Sequence, residues 1–462
     1  MRSSEPPGWP RTLQSADDRW PAPESSRSWG ERADEAEPLL REAIEILARA
    51  GARAEAASAE AHLGNLLFST NRIEEAVTRL EGALAGYESE ADETATATVS
   101  AQLSRFLFFE GRPEEALPHA ERALELAERL RLAPVVVQAL INKALIVSHR
   151  PNESLGLVRQ ALVLAEESGD DFGALRACMN LSHALALADR LPEAQEAVEH
   201  GIALARRRGD RRLERSLTAN LVSGYWAVGQ WDEAERAAAE IPGDGSIVTD
   251  PVHATTPLVL ATIALARGDD ERAAALVTPF TSWRGSARVQ ARGIGALARA
   301  LRATAEGLYS GALAECITAL SDEQILHAVE TVNDFVEVGG EAAWTERDPG
   351  GLAEILGRVA AAPHEMPASL EARVLLQRAR LAVLRDDPEP AFEPAVAAFR
   401  AVNDPFWVAT ALLEQAEWLA DNGGAGEIEP LLAEAREVFE RLRAQPRLER
   451  VERLEAAAGV AT

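Results

Sequence analysis

Residues 59–88, AEAHLGNLLFSTNRIEEAVTRLEGALAGYE, hold two stretches of helical periodicity broken by a short polar turn. Leu63, Gly64 and Leu67 precede the turn at Ser69, Thr70 and Asn71, and Ala76, Leu80 and Ala83 follow it. Apolar residues three and four apart share one helix face, so each half presents a single stripe. The small residues Gly64, Ala76 and Ala83 fall where two antiparallel helices come closest, and Leu63, Leu67 and Leu80 fill the seam around them. The unit is a helix-turn-helix hairpin.

The unit recurs along the chain. A helix-start phrase of the form Gly-x-x-x-x-Ala appears as GRPEEA (111–116), GQWDEA (229–234), GDDERA (268–273) and GLYSGA (307–312), with NRIEEA (71–76) and DRLPEA (189–194) as variants. Its last position falls at Ala76, Ala116, Ser154, Ala194, Ala234, Ala273, Ala312, Leu352 and Ala391, with successive spacings of 40, 38, 40, 40, 39, 39, 40 and 39. A tenth, looser copy runs through 412–442 with Ile428 in the same place. Such a period marks an array in which each unit buries its apolar face against its neighbours.

Composition agrees. The 462 residues are 47% hydrophobic but only 5% aromatic, the palette of long packed helices. Cys178 and Cys316 have no Cys-x-x-Cys or Cys/His spacing, so a reduced, metal-free protein in the cytoplasm is expected. With 47 Lys+Arg against 74 Asp+Glu the net charge is −27, which argues against direct nucleic-acid binding. No uncharged apolar run of about 18 residues predicts a membrane span, and MRSSEPPGWPRTLQSADDRW lacks the apolar core of a secretory signal.

Residues 1–32 depart from the pattern. Pro6, Pro7, Pro10, Pro21 and Pro23 interrupt any helix and Trp9, Trp20 and Trp29 show no periodicity, so a disordered leader is expected. The array is expected over 33–455, with a short tail at 456–462. Within it, IPGDGSIVTDPVHATTPL (241–258) predicts a joint: Pro242, Gly243 and Gly245 cut the second helix of the fifth repeat short, and Pro251 and Pro257 delay the next.

The repeat pattern resembles the tetratricopeptide superfamily, in its long-repeat branch, since the period of about 39 exceeds the standard 34. The stretch 404–454 is similar to the C-terminal end of actinobacterial multidomain regulators, with AEWLADNG and LLAEAREVFERLRAQPRLER carrying the likeness. In those proteins an adenylate/guanylate cyclase or LuxR-type domain is joined to an NTPase of the AAA or STAND type and then to helical repeats. The resemblance implies an all-α, right-handed α-solenoid of about ten helix-turn-helix repeats. Their other parts have no counterpart here: the only lysine, Lys143, lies in LINKALI without the Gly-x-x-x-x-Gly of a phosphate loop, and no β-rich stretch offers paired aspartates.

Catalytic signals also fail. His364-Glu365 is followed by Met-Pro-Ala rather than by a second histidine, no Gly-x-Ser-x-Gly occurs, and neither cysteine is expected to have a nearby histidine that lowers its pKa. Arg-Gly-Asp at 208–210 and 267–269 is expected at inter-helix turns, with Gly at positive φ and Asp capping the next helix. ARRRGDRRLER (205–215) is expected to be a solvated turn whose arginines complement a helix C-terminus. No catalytic residue, cofactor or metal is predicted.

In a tetratricopeptide solenoid the first helix of each repeat lines the concave face, and the residue after the Gly64 position points into the groove. Stepping along the repeats gives Asn65, Arg105, Lys143, His183, Ser223, Thr262, Leu301, Glu341, Arg380 and Glu417. The first four form a polar, mostly basic ladder, and Phe108 and Arg176 are expected on the same surface. Trp226 is a further candidate anchor, whereas Phe109 is expected in the core. The ladder resembles the arrangement by which some tetratricopeptide domains clamp a peptide carboxylate. It predicts a non-enzymatic scaffold or sensory module of a signalling or transcription-control system, binding a protein or peptide with acidic groups. The alternatives are a truncated repeat region of a cyclase or STAND-type ATPase regulator, and a small-molecule sensor. The bland expectation for Arg105 and Lys143 is pairing with acids on neighbouring helices.

Overall fold

The computed structural model describes residues 26–70, 72–241, 251–286, 289–326, 329–362, 366–424 and 427–458. All regular structure among these residues is helical. Helix α1 (Ser26–Ala50) leads into ten helix pairs: α2 (Arg53–Ser69) with α3 (Ile73–Ser89), α4 (Glu93–Glu110) with α5 (Pro113–Leu130), α6 (Ala133–Ile146) with α7 (Pro151–Ser168), α8 (Asp171–Leu187) with α9 (Leu191–Arg208), and α10 (Arg211–Ala227) with α11 (Trp231–Ala239). There follow α12 (Pro251–Arg267) with α13 (Asp270–Val277) and a 3-10 segment at Thr278–Gly285, then α14 (Val289–Ala305) with α15 (Tyr309–Leu320) and the single turn α16 (Glu323–Leu326). The last pairs are α17 (Val329–Thr345) with α18 (Pro349–Ala360), α19 (Ala368–Leu384) with α20 (Glu393–Ala401), and α21 (Pro405–Asp421) with α22 (Ile428–Leu442), and α23 (Gln445–Ala458) closes the array. The chain is a helical-repeat solenoid.

Sequence chemistry sets the ends of these helices. Gly111 stops α4 at φ 84°, a left-handed conformation that costs glycine little. Asp92, Asp170, Asp210 and Asp269 accept hydrogen bonds from backbone amides three residues on, at 2.9–3.1 Å, and so satisfy otherwise orphaned donors. The last two of these are the aspartates of the Arg-Gly-Asp turns, and Gly209 and Gly268 there have φ of 72° and 81°. Proline opens α5, α7, α18 and α21, where its missing N–H is not needed.

The seam of the first hairpin follows from its small residues. A Cβ on Gly64 would lie 3.1 Å from Leu80 Cγ and 3.2 Å from the Ala76 carbonyl oxygen. Leu63, Leu67, Ala76, Leu80 and Ala83 are fully buried around that contact. The equivalent position is buried in the later hairpins from Ala116 to Leu352, and at Ile428. The ninth copy is the exception: Ala391 is exposed and Ala395 is buried instead. Pro388 and Pro390 lengthen that turn, and α20 starts only at Glu393.

First helices touch first helices, α4 to α6, α6 to α8, α8 to α10 and on through α12, α14, α17 and α19, whereas α3, α5, α7 and α9 make no comparable contact with one another, although the second helices α15 and α18 do touch further along. The first helices therefore line the inside of the bend. The bend is tight enough for the array to meet itself. Asp189, in the turn after α8, accepts a hydrogen bond at 3.2 Å from the Ser369 amide at the start of α19, 180 residues later. Gly229 lies against Pro405 at the start of α21, and Gly268 against Pro446 at the start of α23. Around these points Trp231 packs on Phe406 with ring centroids 5.2 Å apart, and Arg267 donates to the Leu442 carbonyl at 3.1 Å.

Several boundaries differ from expectation. Residues 1–25 lie outside the described residues, but Ser26 onward is already helix, because no proline intervenes between Pro23 and Pro38. Helix α11 ends early at Ala239, and 242–250 lie outside the described residues. Helix α12 then starts at Pro251 and runs through Pro257, which removes one intrahelical bond without ending the helix. Helix α23 extends to Ala458, beyond the expected start of the tail, and 459–462 lie outside the described residues. Among the described residues no helix is long and apolar enough to cross a membrane.

Candidate peptide groove

Arg105 projects from α4, half-buried on the inner side of the bend. Its guanidinium carbon stands 5.1 Å from the Phe68 ring centroid and 5.7 Å from that of Phe109, within cation–π range. Burial, and after it the positive charges of Arg176 and Arg212, push its pKa well below the usual arginine value, and no acid among the described residues offsets them. The expectation that Arg105 would pair with a neighbouring acid is therefore wrong.

Arg176, on α8, is brought to the same wall by a buried asparagine. Asn142 donates to the Ala101 carbonyl, one turn before Arg105, at 2.7 Å, and its oxygen accepts from Arg176 Nη2 at 3.5 Å. Burial lowers the Arg176 pKa also, with Asp170 acting against the shift. Arg212, exposed at the start of α10, adds a third positive charge. Its neighbours in the 205–215 run behave as a solvated turn: Arg206 and Arg211 both pair with Glu214 at 2.8 Å, and Arg208 with Asp171 at 3.4 Å.

The other ladder residues divide. Lys143 is neutralised by Glu121 at 3.0 Å. Asn65 is exposed and donates to the Ala61 carbonyl at 3.0 Å and to Gln102 at 3.5 Å. His183 is half-buried on α8. Phe108 packs into the N-terminal core, while Phe109 is the exposed ring at 47%. The two had been expected the other way round. Phe109 is four residues from Arg105 and so shares its helix face, while Phe108 turns toward the seam. Trp226 lies apart from this wall, packed against the C-terminal core and lining a cavity of about 160 Å³ with Asp189, Arg373 and Asp404. Sequence reasoning passed over Phe68 and Arg212; Phe68 is one helical turn beyond Asn65, a signal that was available.

In the C-terminal half the groove positions are occupied from within the chain. Arg380 is fully buried, donates to Glu414 at 2.8 and 2.6 Å, and pairs with Glu341. Arg447 of α23 also pairs with Glu341, and Arg450 pairs with Glu417 at 2.6 Å. A second buried cluster joins Arg373 to Glu337 and Asp404, each at 3.2 Å, and the Trp407 indole N–H donates to Glu337 at 3.1 Å. Burial pushes the Glu337 carboxyl up to about 7 despite Arg373, whose single charge is shared between two carboxylates.

Both cysteines are buried. Contrary to expectation Cys178 does have a histidine near it, with His200 Nδ1 4.0 Å from Sγ, contributed by the neighbouring helix α9. Burial, and after it Glu166, still push its thiol up to about 12, which disfavours the nucleophilic thiolate. Among the described residues no group of His, Cys, Asp and Glu could hold a metal ion. His364 and Glu365 lie outside the described residues.

A tetratricopeptide-repeat family model matches residues 96–131, most of the α4–α5 pair that carries Arg105. No curated protein matches the chain. Among solved structures the human IFIT1 dimer with m7Gppp-AAAA is similar, at 12% identity and a TM-score of 0.42 over 87% of this chain and 90% of that one. Residues 96–131 thus resemble a tetratricopeptide repeat, and the same helix-turn-helix hairpin recurs from α2 to α22.

Proposed function

We propose that this protein is a non-catalytic interaction module whose inner N-terminal wall grips a short acidic segment of a partner protein. One observation carries the proposal: Arg105 holds a positive charge in a partly desolvated position beside Phe68 and Phe109, with two further arginines nearby and no acid among the described residues to compensate it. Such an arrangement is unfavourable in the free protein and becomes favourable when an anion arrives. Phe68 and the exposed Phe109 supply an apolar border that orders the segment beside its charged group. The net charge of −27 keeps long polyanions away, so recognition is of a local acidic group rather than of a nucleic-acid backbone. The similarity of 404–454 to the C-terminal part of cyclase-type and LuxR-type regulators supports placing the module in signalling or transcription control.

Capture from the native lysate tests this reading, with the wild-type chain compared with an Arg105→Glu/Arg176→Glu variant shown by circular dichroism to be folded. A partner retained by wild type and lost by the variant is the expected result. Equal capture by both chains would remove the basic wall from the account.

A further inference from the structure

We propose that α23 is an internal ligand of the array, seated in an acidic groove that its release would open to a basic, amphipathic helical segment of another protein. This groove is separate from the Arg105 wall, and the proposal does not rest on that site. The first-helix positions facing the inside of the bend carry Glu341 on α17 and Glu417 on α21. Each is met by an arginine of α23: Arg447 pairs with Glu341, and Arg450 donates to both oxygens of Glu417 at 2.9 and 2.6 Å. Arg447 and Arg450 are three residues apart, so they form one basic stripe on one helix face. The helix stands where a ligand of the inner face would stand, touching α12 as well as α21.

The apolar part of this attachment is narrow. In RLERVERL (447–454) only Val451 is fully buried, and Leu448 and Leu454 are half-buried along the same face. The rest of the hold is charge, including Arg436 of α22 with Glu455. The side chains of these ion pairs are only 14–31% exposed, so the cost of taking both charges out of water offsets much of their attraction, whereas the repeats share continuous apolar seams. The pivot before α23 is firmer. Leu442 and Ala444 are buried, the Leu442 carbonyl accepts from Arg267 at 3.1 Å, and Arg443 pairs with Asp232. Release at Gln445 leaves Glu341 still matched by Arg380, but it leaves Glu417 unpaired and the Val451 socket empty. A helical segment with arginines at the Arg447 and Arg450 spacing and an aliphatic residue directly after the second fits that vacated face.

The test uses the full-length chain carrying Arg447→Glu/Arg450→Glu and, as probe, a fluorescent peptide of residues 445–458. The variant should keep its helical content and lose hydrogen-exchange protection in α23. It should bind the peptide about tenfold or more tightly than wild type does, and a peptide with both arginines replaced by glutamate should bind neither chain. Equal peptide binding to both chains, or binding to neither, would overturn the proposal. Should the variant fail to fold, native-state exchange on wild type decides: α23 amides less protected than those of α17 and α21 support local release, and exchange only through global unfolding contradicts it.

Discussion

The guanidinium of Arg105 lies 5.1 Å from the ring of Phe68, and no acid among the described residues compensates its charge. On the proposed reading, a side chain placed this way weakens the free protein slightly in return for binding an anion. Arg105→Met keeps the aliphatic packing on Phe68 and removes the repulsion with Arg176 and Arg212. It is expected to raise stability by up to about 1 kcal/mol, read as a higher urea midpoint at an unchanged slope. A loss of stability in that variant would mean that Arg105 has a structural partner.

Close helix approach fixes the positions that tolerate no added volume. A Cβ on Gly295 would sit 2.1 Å from the Arg284 backbone nitrogen and 2.4 Å from the Trp283 carbonyl carbon. Because backbone cannot swing aside as a side chain does, Gly295→Ala should lower stability by about 2–3 kcal/mol. Ala116→Leu, in the seam of the second hairpin, should lower it by about 1–3 kcal/mol. Denaturant titration checks both, and a neutral effect at Gly295 would contradict the close approach of α14 to the 3-10 segment.

The Glu337 cluster predicts a pH dependence of definite sign. Its folded pKa, about 7, lies above the ordinary carboxylate value, so the proton is bound more tightly in the folded state. The associated stability is present below about pH 4 and is lost as pH rises through 7. Glu337→Gln, which can still accept from Trp407 and Arg373, should flatten that decline between about pH 5 and 8 in thermal melts. An unchanged slope would show that Glu337 is ionised throughout.

The contact of the array with itself has its own test. Trp231 and Phe406 are 175 residues apart in sequence, with ring centroids 5.2 Å apart. A double-mutant cycle with Trp231→Ala and Phe406→Ala should return a coupling of about 0.5–1.5 kcal/mol. Strict additivity would mean that the fifth and tenth repeats do not touch in solution.

The repeat period was legible because it depends on local chemistry: a small residue at each close approach, an aspartate or proline at each helix start, and leucines between. The ninth repeat slipped from that pattern because Pro388 and Pro390 displaced the small residue from Ala391 to Ala395. The candidate site was legible only in part. Arg105 and Arg176 could be named from the ladder, but the neutralisation of Lys143 by Glu121 depends on which acids adjacent helices bring across. The choice of Phe109 over Phe108 turns on a single step of helix phase. The filling of the C-terminal groove by α23, and the meeting of Asp189 with Ser369, arise from the curvature of the whole array. Curvature accumulates from small angles at each seam and has no local sequence signature.

The central claim is that the Arg105 wall is an anion-recognition site. The most direct measurement is a fluorescence-anisotropy titration of a labelled Asp/Glu-rich peptide into wild type, Arg105→Met and Lys143→Met chains at low and moderate salt. Arg105→Met should weaken binding by about tenfold or more, Lys143→Met should weaken it far less because Glu121 already holds that charge, and added salt should weaken the wild-type complex. Undiminished binding by Arg105→Met, or equal losses in the two variants, would contradict the account.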